Sequence, residues 1–150
     1  MRSDRATWWK AHHPGLLLRD SGELVRDPGW PDEILLDSST RHKRKGIGSI
    51  VTRWIEQCRR SGYAAVEPDN LDFFTRSRHL LTRSDNLALA RLLGRQAHTS
   101  GLAFAQKNLE GVTSRERERA GFDFAVAEEC QVYSECAAYT SVYGRHVLEI

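Results

Sequence analysis

Three carboxylates follow a short apolar segment near the middle of the chain. The segment, residues 64–66, is too short for a helix, and Glu67, Asp69 and Asp72 come directly after it. Pro68 cannot donate to a strand ladder, so the segment is predicted to be a buried strand that ends there. Reacting groups of α/β folds sit at the carboxyl ends of such strands. The stretch therefore predicts a reactive rim, unless these acids only cap a helix or solvate a loop.

The same arrangement recurs along the chain, where polar side chains follow four other short apolar runs. These polar residues are Asp37, Lys107 with Asn108, Glu128 with Glu129, and Glu149. Because the carboxyl ends of parallel strands meet at one edge of a sheet, we expect the side chains to lie together. Acids placed at random on a surface would not follow strands so regularly. The recurrence favours a functional rim.

Asp69 and Glu128 are the best candidates for a reacting pair. Cleavage of a glycosidic bond needs one carboxylate that attacks or stabilises the sugar carbon and one carboxylic acid that protonates the leaving oxygen. If strand order follows the sequence, the strand that carries Lys107 and Asn108 lies between the two. Two steps of about 4.8 Å, shortened by side chains that converge, give a separation of about 5–9 Å. That range fits both retention and inversion of the anomeric centre.

Metal-dependent hydrolysis is the competing chemistry, because clustered acids also bind hard cations. The imidazoles that usually complete such a site lie away from the predicted strand ends, at His12, His13, His42, His79, His98 and His146. The sequence has no Gly-x-Ser-x-Gly elbow for a serine nucleophile and no glycine-rich phosphate loop after a strand. We therefore expect no metal and no cofactor.

The elements that must position these residues alternate between strands and helices. Apolar residues from Ile47 to Cys58 recur at helical spacing and predict the clearest amphipathic helix. Thr82 and Thr113 carry capping signals for two further helices, and a fourth is predicted over residues 132–143. Strands are predicted at residues 34–37, 63–66, 102–105, 122–127 and 146–150. This alternation is typical of a parallel sheet with right-handed crossovers.

Polar groups at every strand end, rather than at one crevice, favour a (β/α)8 TIM-barrel plan over an open doubly wound sheet. A closed barrel needs eight strands and roughly 200 residues or more. This chain has 150 residues and offers five to six strands. We predict an α/β fold that forms a partial barrel, in a single domain of residues 1–150 of which residues 1–30 are irregular.

Composition gives no reason to expect nucleic acid or a membrane as a partner, since the net charge is only +2. No run approaches the roughly 18–20 apolar residues of a membrane span. The basic run at residues 41–45 opens a predicted helix and is interpreted as a solvated face. Residues 1–13 lack the apolar core of a secretion signal, which by itself favours the cytosol if this start is the natural one.

Cysteine spacing leaves the redox compartment open. Cys130 and Cys136 are close enough in sequence to form a bridge if the backbone turns back between them. Their spacing matches no zinc-binding pattern. Cys58 falls on the apolar face of a predicted helix, where a free buried thiol is expected.

Several of these motifs together resemble a known family. They are Val66-Glu67-Pro68-Asp69-Asn70-Leu71-Asp72, Gln106-Lys107-Asn108, the 122–126 strand with Glu128-Glu129-Cys130, and Tyr133-Ser134-Glu135-Cys136. The combination is similar to glycoside hydrolase family 114, the endo-α-1,4-polygalactosaminidase-like TIM barrels. The similarity extends from about Trp30 to Glu149.

The resemblance implies endo-hydrolysis of α-1,4-linked galactosamine polymers with retention, using Asp69 as nucleophile and Glu128 as acid/base. The residues expected to line the sugar site are Asp37, Glu67, Asn70, Asp72, Lys107, Asn108 and Glu149. The implied partner is a polysaccharide or oligosaccharide substrate, and the oligomeric state stays open. An acidic rim suits a cationic, partly deacetylated galactosaminan. The resemblance also implies secretion, which would favour a disulfide between Cys130 and Cys136.

The chain departs from the family pattern beside the expected acid/base. Where the family has Asn-Glu-Gln-Cys, this chain has Ala127-Glu128-Glu129-Cys130. A second carboxylate at this point can raise the proton affinity of Glu128 or compete for its role.

A second hypothesis therefore stands beside the hydrolase: a non-catalytic, truncated remnant or sugar-binding module of the same fold. The missing strands motivate it. An open parallel sheet exposes two edges, so such a chain is expected to associate or to be poorly stable.

Overall fold

The computed structural model describes residues 3–150, with side chains from Ala6 onward. The expectation about a secretion signal concerns the first residues and lies partly outside these described residues. Within them, a four-stranded parallel sheet carries the strands β3 (Ala65–Val66), β4 (Ala103–Lys107), β5 (Phe124–Ala127) and β6 (Val147–Glu149), in that order. Strands alternate with helices, so the predicted α/β class is confirmed.

Helices α2 (Arg41–Arg60), α3 (Arg83–Thr99), α4 (Ser114–Ala120) and α5 (Cys136–Tyr143) connect or precede these strands. Helix α2 begins after Thr40, whose hydroxyl accepts a hydrogen bond from the Lys43 N–H. Capping boxes open the next two helices, with Thr82 and Asp85 at α3 and Thr113 and Glu116 at α4. The predicted capping signals are thus confirmed, and they fix where each helix starts after the preceding strand.

The two faces of the sheet have different surroundings. Phe104, Gln106, Ala125 and Ala127 are at most 1% exposed, and the apolar ones belong to the main core cluster with α3 and α5. Their neighbours along each strand point the other way, because side chains alternate across a pleated strand. Lys107, Val126 and Leu148 are partners in register and share this inner face.

The predicted strand at residues 34–37 does not join the parallel sheet. Leu36 forms an antiparallel bridge with Leu17, and Ile34 forms one with Arg26. The segment is held by backbone hydrogen bonds from the Leu18 N–H to the Leu35 carbonyl at 2.8 Å and from the Leu35 N–H to the Val25 carbonyl at 3.0 Å. The parallel sheet described here therefore has four strands, fewer than the five to six expected.

The first thirty residues contain more structure than their sequence indicates. Helix α1 (Ser3–His12) and the hairpin of β1 (Arg19–Asp20) and β2 (Glu23–Leu24) lie there. Tertiary contacts stabilise α1, since the indole of Trp9 is fully buried and meets Trp54 of α2 edge to face. The large apolar residues of α1 are the adjacent Trp8 and Trp9, which do not recur at helical spacing. The sequence pattern therefore did not predict this helix.

Candidate active site

Loops after β3, β4 and β5 meet at the carboxyl end of the sheet. The Leu71 N–H donates to the Lys107 carbonyl at 3.1 Å, and the Asn108 N–H donates to the Val126 carbonyl at 2.9 Å. These bonds extend the strand pairing past the last sheet residues. The polar residues that follow the three strands are thereby brought to one rim, as the sequence predicts.

Lys107 lies between the two candidate reacting carboxylates. Its Nζ is 3.1 Å from Oδ1 of Asp69 and 2.9 Å from Oε2 of Glu128. Because both oxygens contact one nitrogen, they are no more than about 6 Å apart, the sum of the two contacts. The Lys107 side chain is 5% exposed, whereas Asp69 and Glu128 remain open to solvent. A molecule that arrives from solvent therefore meets the carboxylates, and the ammonium lies beneath them.

Asn108 links the same three strand ends through its amide. Its Nδ2 donates to Oδ1 of Asn70 and to Oε2 of Glu128, both at 2.9 Å. Its Oδ1 accepts the Glu128 N–H at 3.0 Å. The backbone of Asn108 has φ 54°, a left-handed conformation that asparagine tolerates better than most residues. Asn108 thus fixes both the backbone and the carboxylate of Glu128.

The charges at the rim divide the carboxylates into two kinds. Burial by itself would lower the pKa of Lys107, but its bonds to Glu128 and Asp69 outweigh burial and raise that pKa. The hydrogen bonds from Lys107 and Asn108 lower the pKa of Glu128. Partial burial, together with the nearby charges of Asp69 and Glu128, raises the pKa of Glu67 despite the opposing effect of Lys107.

The expectation that Glu129 raises the proton affinity of Glu128 is therefore wrong. The groups that act on Glu128 are Lys107 and Asn108, and the net effect is a lower pKa. Glu129 has a left-handed backbone with φ 52°, and its N–H donates to the Ile150 carbonyl at 2.9 Å. Glu129 is thus not among the groups that shift the pKa of Glu128, although the two residues are adjacent in sequence.

A sequence model of glycoside-hydrolase family GH114 matches residues 4–150. The match covers nearly the whole chain, including every rim residue described above. The chain belongs to glycoside-hydrolase family GH114. Among curated proteins, none matches this GH114 chain.

The crystal structure of Ega3 from Aspergillus fumigatus, in complex with galactosamine, resembles this GH114 chain. The TM-score is 0.67 at 23% sequence identity, over 87% of this chain and 51% of the Ega3 chain. At that identity the likeness shows the fold, and it confirms the expected partial TIM-type barrel. The GH114 chain spans about half the length of Ega3.

Three residues expected to line the sugar site have other partners in this GH114 structure. Asp37 is buried and pairs with Lys43 and Ser39 at the start of α2, contacts that lower its pKa although burial opposes them. Asp72 receives two hydrogen bonds from Arg76, at 2.9 and 3.1 Å. Both carboxylates stabilise local structure instead of joining the Lys107 group.

Glu149 is the third such residue, and strand register explains its position. Its Cα partner is Ala127, whose side chain faces the helices, so Glu149 points to that side of the sheet. Its Oε1 accepts the Gln131 N–H at 3.0 Å. The carboxylate lies beside a disulfide between Cys130 and Cys136, which is present as the secreted character of the family would favour. Disulfide sulfurs offer no thiolate, so this cluster is not a metal site in its oxidised form.

Sequence reasoning missed Gln106 and Tyr143 as supports of the site. Gln106 is 1% exposed, and its Nε2 donates to the carbonyls of Asn108 and Leu109, both at 2.8 Å. The Tyr143 hydroxyl donates to Gln106 Oε1 at 2.6 Å. The available signal was an amide at a helix-facing position of β4, where the other helix-facing residue, Phe104, is apolar. Such a group must be hydrogen bonded when buried, which marks it as a structural anchor.

Proposed function

We propose that this GH114 chain cleaves α-1,4 linkages within galactosamine-containing polysaccharides, with Asp69 as nucleophile and Glu128 as acid/base. The observation that carries the proposal is the Lys107 bridge, which brings the two carboxylate oxygens to within about 6 Å. Retaining glycosidases hold their carboxyl groups about 5–5.5 Å apart, whereas inverting enzymes need about 6.5–9.5 Å. The geometry supports retention.

In the proposed first step, an Asp69 oxygen attacks the anomeric carbon while the bond to the leaving oxygen breaks. A proton from Glu128 goes to that oxygen, and a glycosyl ester remains on Asp69. In the second step Glu128 takes a proton from water, the hydroxide oxygen bonds to the anomeric carbon, and the ester bond to Asp69 breaks. Both steps need the separation described above, because a single sugar must contact both groups.

The galactosamine in the Ega3 crystal structure supports an amino sugar as the ligand class. The rim of this chain carries three carboxylates, on Glu67, Asp69 and Glu128, against the one ammonium of Lys107. An excess of negative charge favours a cationic sugar over a neutral one. Asn70 and Asn108 supply amide groups at the same rim, where sugar hydroxyls would bind.

The test uses the full chain with defined α-1,4-galactosamine oligomers, and mass spectrometry of the products. We expect internal cleavage, and we expect Asp69→Asn and Glu128→Gln each to lower kcat by at least about 100-fold. Glu118→Gln is the matched control, because Glu118 is exposed on α4 away from the rim. Proton NMR of the first product distinguishes retention from inversion. Full activity in Asp69→Asn would remove the proposal.

The exposed inner face of the sheet favours one second candidate, a sugar-binding module without catalysis. Leu148 is 57% exposed on that face although it follows the strand pattern of a barrel interior. For this candidate, calorimetry would detect oligosaccharide binding to the wild-type chain while no product forms. Asp69→Asn would then weaken binding and change no rate.

We also propose that the protein acts outside the cytosol, as the family resemblance implies. The Cys130–Cys136 disulfide supports this, because such bonds persist mainly in oxidising compartments. No helix in the described part of the chain is both long and apolar enough to cross a membrane. Thiol counting on protein isolated from its native source tests the proposal, and three free thiols per chain would contradict it.

A further inference from the structure

The buried ammonium of Lys107 lies on the inner face of the sheet, beneath the rim. Register pairs Lys107 with Val126, and Glu128 follows two residues later on that face. A buried ammonium is costly unless anionic partners compensate for its lost hydration. Lys107 has two such partners, with contacts of 3.1 Å to Asp69 and 2.9 Å to Glu128. Its position thus favours the charged form of both carboxylates in the resting site.

Glu67 is the third carboxylate near this ammonium, and it occupies a different position. Ala65 pairs with Ala103, so Glu67, two residues further on, falls on the same inner face as Lys107. Lys107 acts on Glu67 only through longer-range attraction. Glu67 meanwhile faces the charges of Asp69, from its own strand end, and Glu128, from the next strand but one. Three carboxylates thus lie near one ammonium group. Glu67 is the easiest of the three to protonate, because it receives no hydrogen bond from Lys107.

We infer that Lys107 is a positioning residue that keeps Asp69 and Glu128 charged together and leaves the exchangeable proton of the resting site on Glu67. The directions of the pKa shifts of Glu67 and Glu128 agree with this arrangement. Partial burial and neighbouring charge raise the pKa of Glu67, whereas bonds from Lys107 and Asn108 lower the pKa of Glu128.

The catalytic consequence rests on the proposed function. Before the first step, the proton passes from the Glu67 carboxyl group to the Glu128 carboxylate, which leaves Glu67 ionised. Glu128 then gives this proton to the leaving oxygen, and the proton that Glu128 takes from water in the second step returns to Glu67. The reactive state has Asp69 ionised and one proton shared between Glu67 and Glu128, so kcat/KM is expected to fall when pH rises through the raised pKa of Glu67.

The test is a carbon-13 NMR titration of the side-chain carboxyl groups in the full chain, without substrate. We expect the midpoint of Glu67 to lie above that of Glu128. In Lys107→Met, the midpoint of Glu128 should rise by about 1–3 pH units. Lys45→Met is the matched control, because Lys45 is exposed on α2, and it should move neither midpoint.

A wild-type midpoint of Glu128 at or above that of Glu67 would overturn the inference, as would an unchanged Glu128 midpoint in a folded Lys107→Met chain. If that variant loses its circular dichroism signal, Glu67→Gln replaces it: the higher of the two midpoints should vanish and the Glu128 midpoint should remain low. Survival of the higher midpoint would contradict the inference. If the midpoints follow the expected order but the chain hydrolyses no substrate, only the proposed function is removed. If the chain hydrolyses substrate but the order of the midpoints is reversed, only this inference is removed.

Discussion

Single buried polar residues decide how accurately the rim is held. The Gln106 amide makes three hydrogen bonds, two from Nε2 to loop carbonyls and one to Oε1 from Tyr143. These bonds hold Asn108 and Leu109, which have left-handed backbones with φ 54° and 64°. Burial also raises the pKa of Tyr143, so its hydroxyl stays a donor at any physiological pH. The position of Asn108 at the rim therefore depends, through Gln106, on a tyrosine in α5.

Tyr143→Phe is expected to lower the free energy of unfolding by about 1–3 kcal/mol, because it leaves Gln106 Oε1 buried without a donor. Urea denaturation followed by circular dichroism measures the change. Tyr133→Phe is the control, since Tyr133 is 63% exposed and should unfold at the wild-type urea midpoint. Equal midpoints for all three proteins would show that the hydrogen bond contributes nothing.

Helix α4 depends on one acid that caps it and ties it to α3. Glu116 accepts from the Thr113 N–H at 2.8 Å, and its oxygens each lie 3.2 Å from a nitrogen of Arg83. Arg83 also donates to the Gly111 carbonyl at 2.8 Å. The hydrogen bond from Arg83, ahead of those from Thr113, lowers the pKa of Glu116 to about 2.

A carboxyl group whose pKa is lower in the folded state stabilises the fold above its unfolded pKa and loses that contribution as pH falls. For Glu116 the loss occurs between pH 4.5, the ordinary value, and about 2. At neutral pH we expect about 1 kcal/mol from this pair, because the two side chains are 34% and 28% exposed. In Glu116→Gln, the free energy of unfolding should depend less on pH across that window than in the wild-type chain. Glu118→Gln should keep the wild-type pH dependence. Identical acid sensitivity in the two variants would refute the assignment.

Helix α3 approaches α4 at a glycine. A Cβ at Gly94 would lie 2.3 Å from the Ala120 backbone carbonyl, whereas one at Gly46 would meet only the flexible Leu16 side chain at 3.0 Å. We expect Gly94→Ala to destabilise the chain by about 1–3 kcal/mol. Gly46→Ala should be neutral or slightly stabilising, since alanine favours helix by about 1 kcal/mol. Thermal unfolding compares them, and equal melting temperatures would contradict the close helix contact.

At the scale of the whole molecule, apolar side chains are exposed on β6, on the residue that follows it and in the loop between β5 and α5. Val132 is 73%, Tyr133 63%, Leu148 57% and Ile150 66% exposed. Exposed strand edges and apolar patches favour association. We expect sedimentation velocity to show an apparent molecular mass that rises with protein concentration. The double variant Leu148→Lys with Ile150→Lys should weaken this concentration dependence. Tyr63→Lys, at another exposed aromatic, is the control. A compact, stable monomer at all concentrations would argue against an incomplete fold.

Local signals in the sequence were sufficient for the elements that surround the site. The capping boxes at Thr82 and Thr113 and the amphipathic pattern of α2 depend on residues close in sequence, and they are confirmed. Four of the five predicted strands are confirmed as well, and the exception is the segment at residues 34–37. The grouping of Asp69, Lys107, Asn108 and Glu128 also followed from sequence, because parallel strands bring their carboxyl ends to one edge. Asp69 and Glu128 as the reacting pair stays a prediction.

Which polar residues belong to that group depended on contacts that the strand pattern did not indicate. Asp37 pairs with Lys43 and Asp72 with Arg76, each within six residues of sequence, whereas strand register turns Glu149 to the helix side. The antiparallel bridges of residues 34–36 also depend on partners distant in sequence. The protonation order of Glu67 and Glu128 has the same origin, since it depends on which carboxylate the buried ammonium of Lys107 contacts. Sequence specifies which groups reach the rim, whereas burial and strand register determine which of them interact.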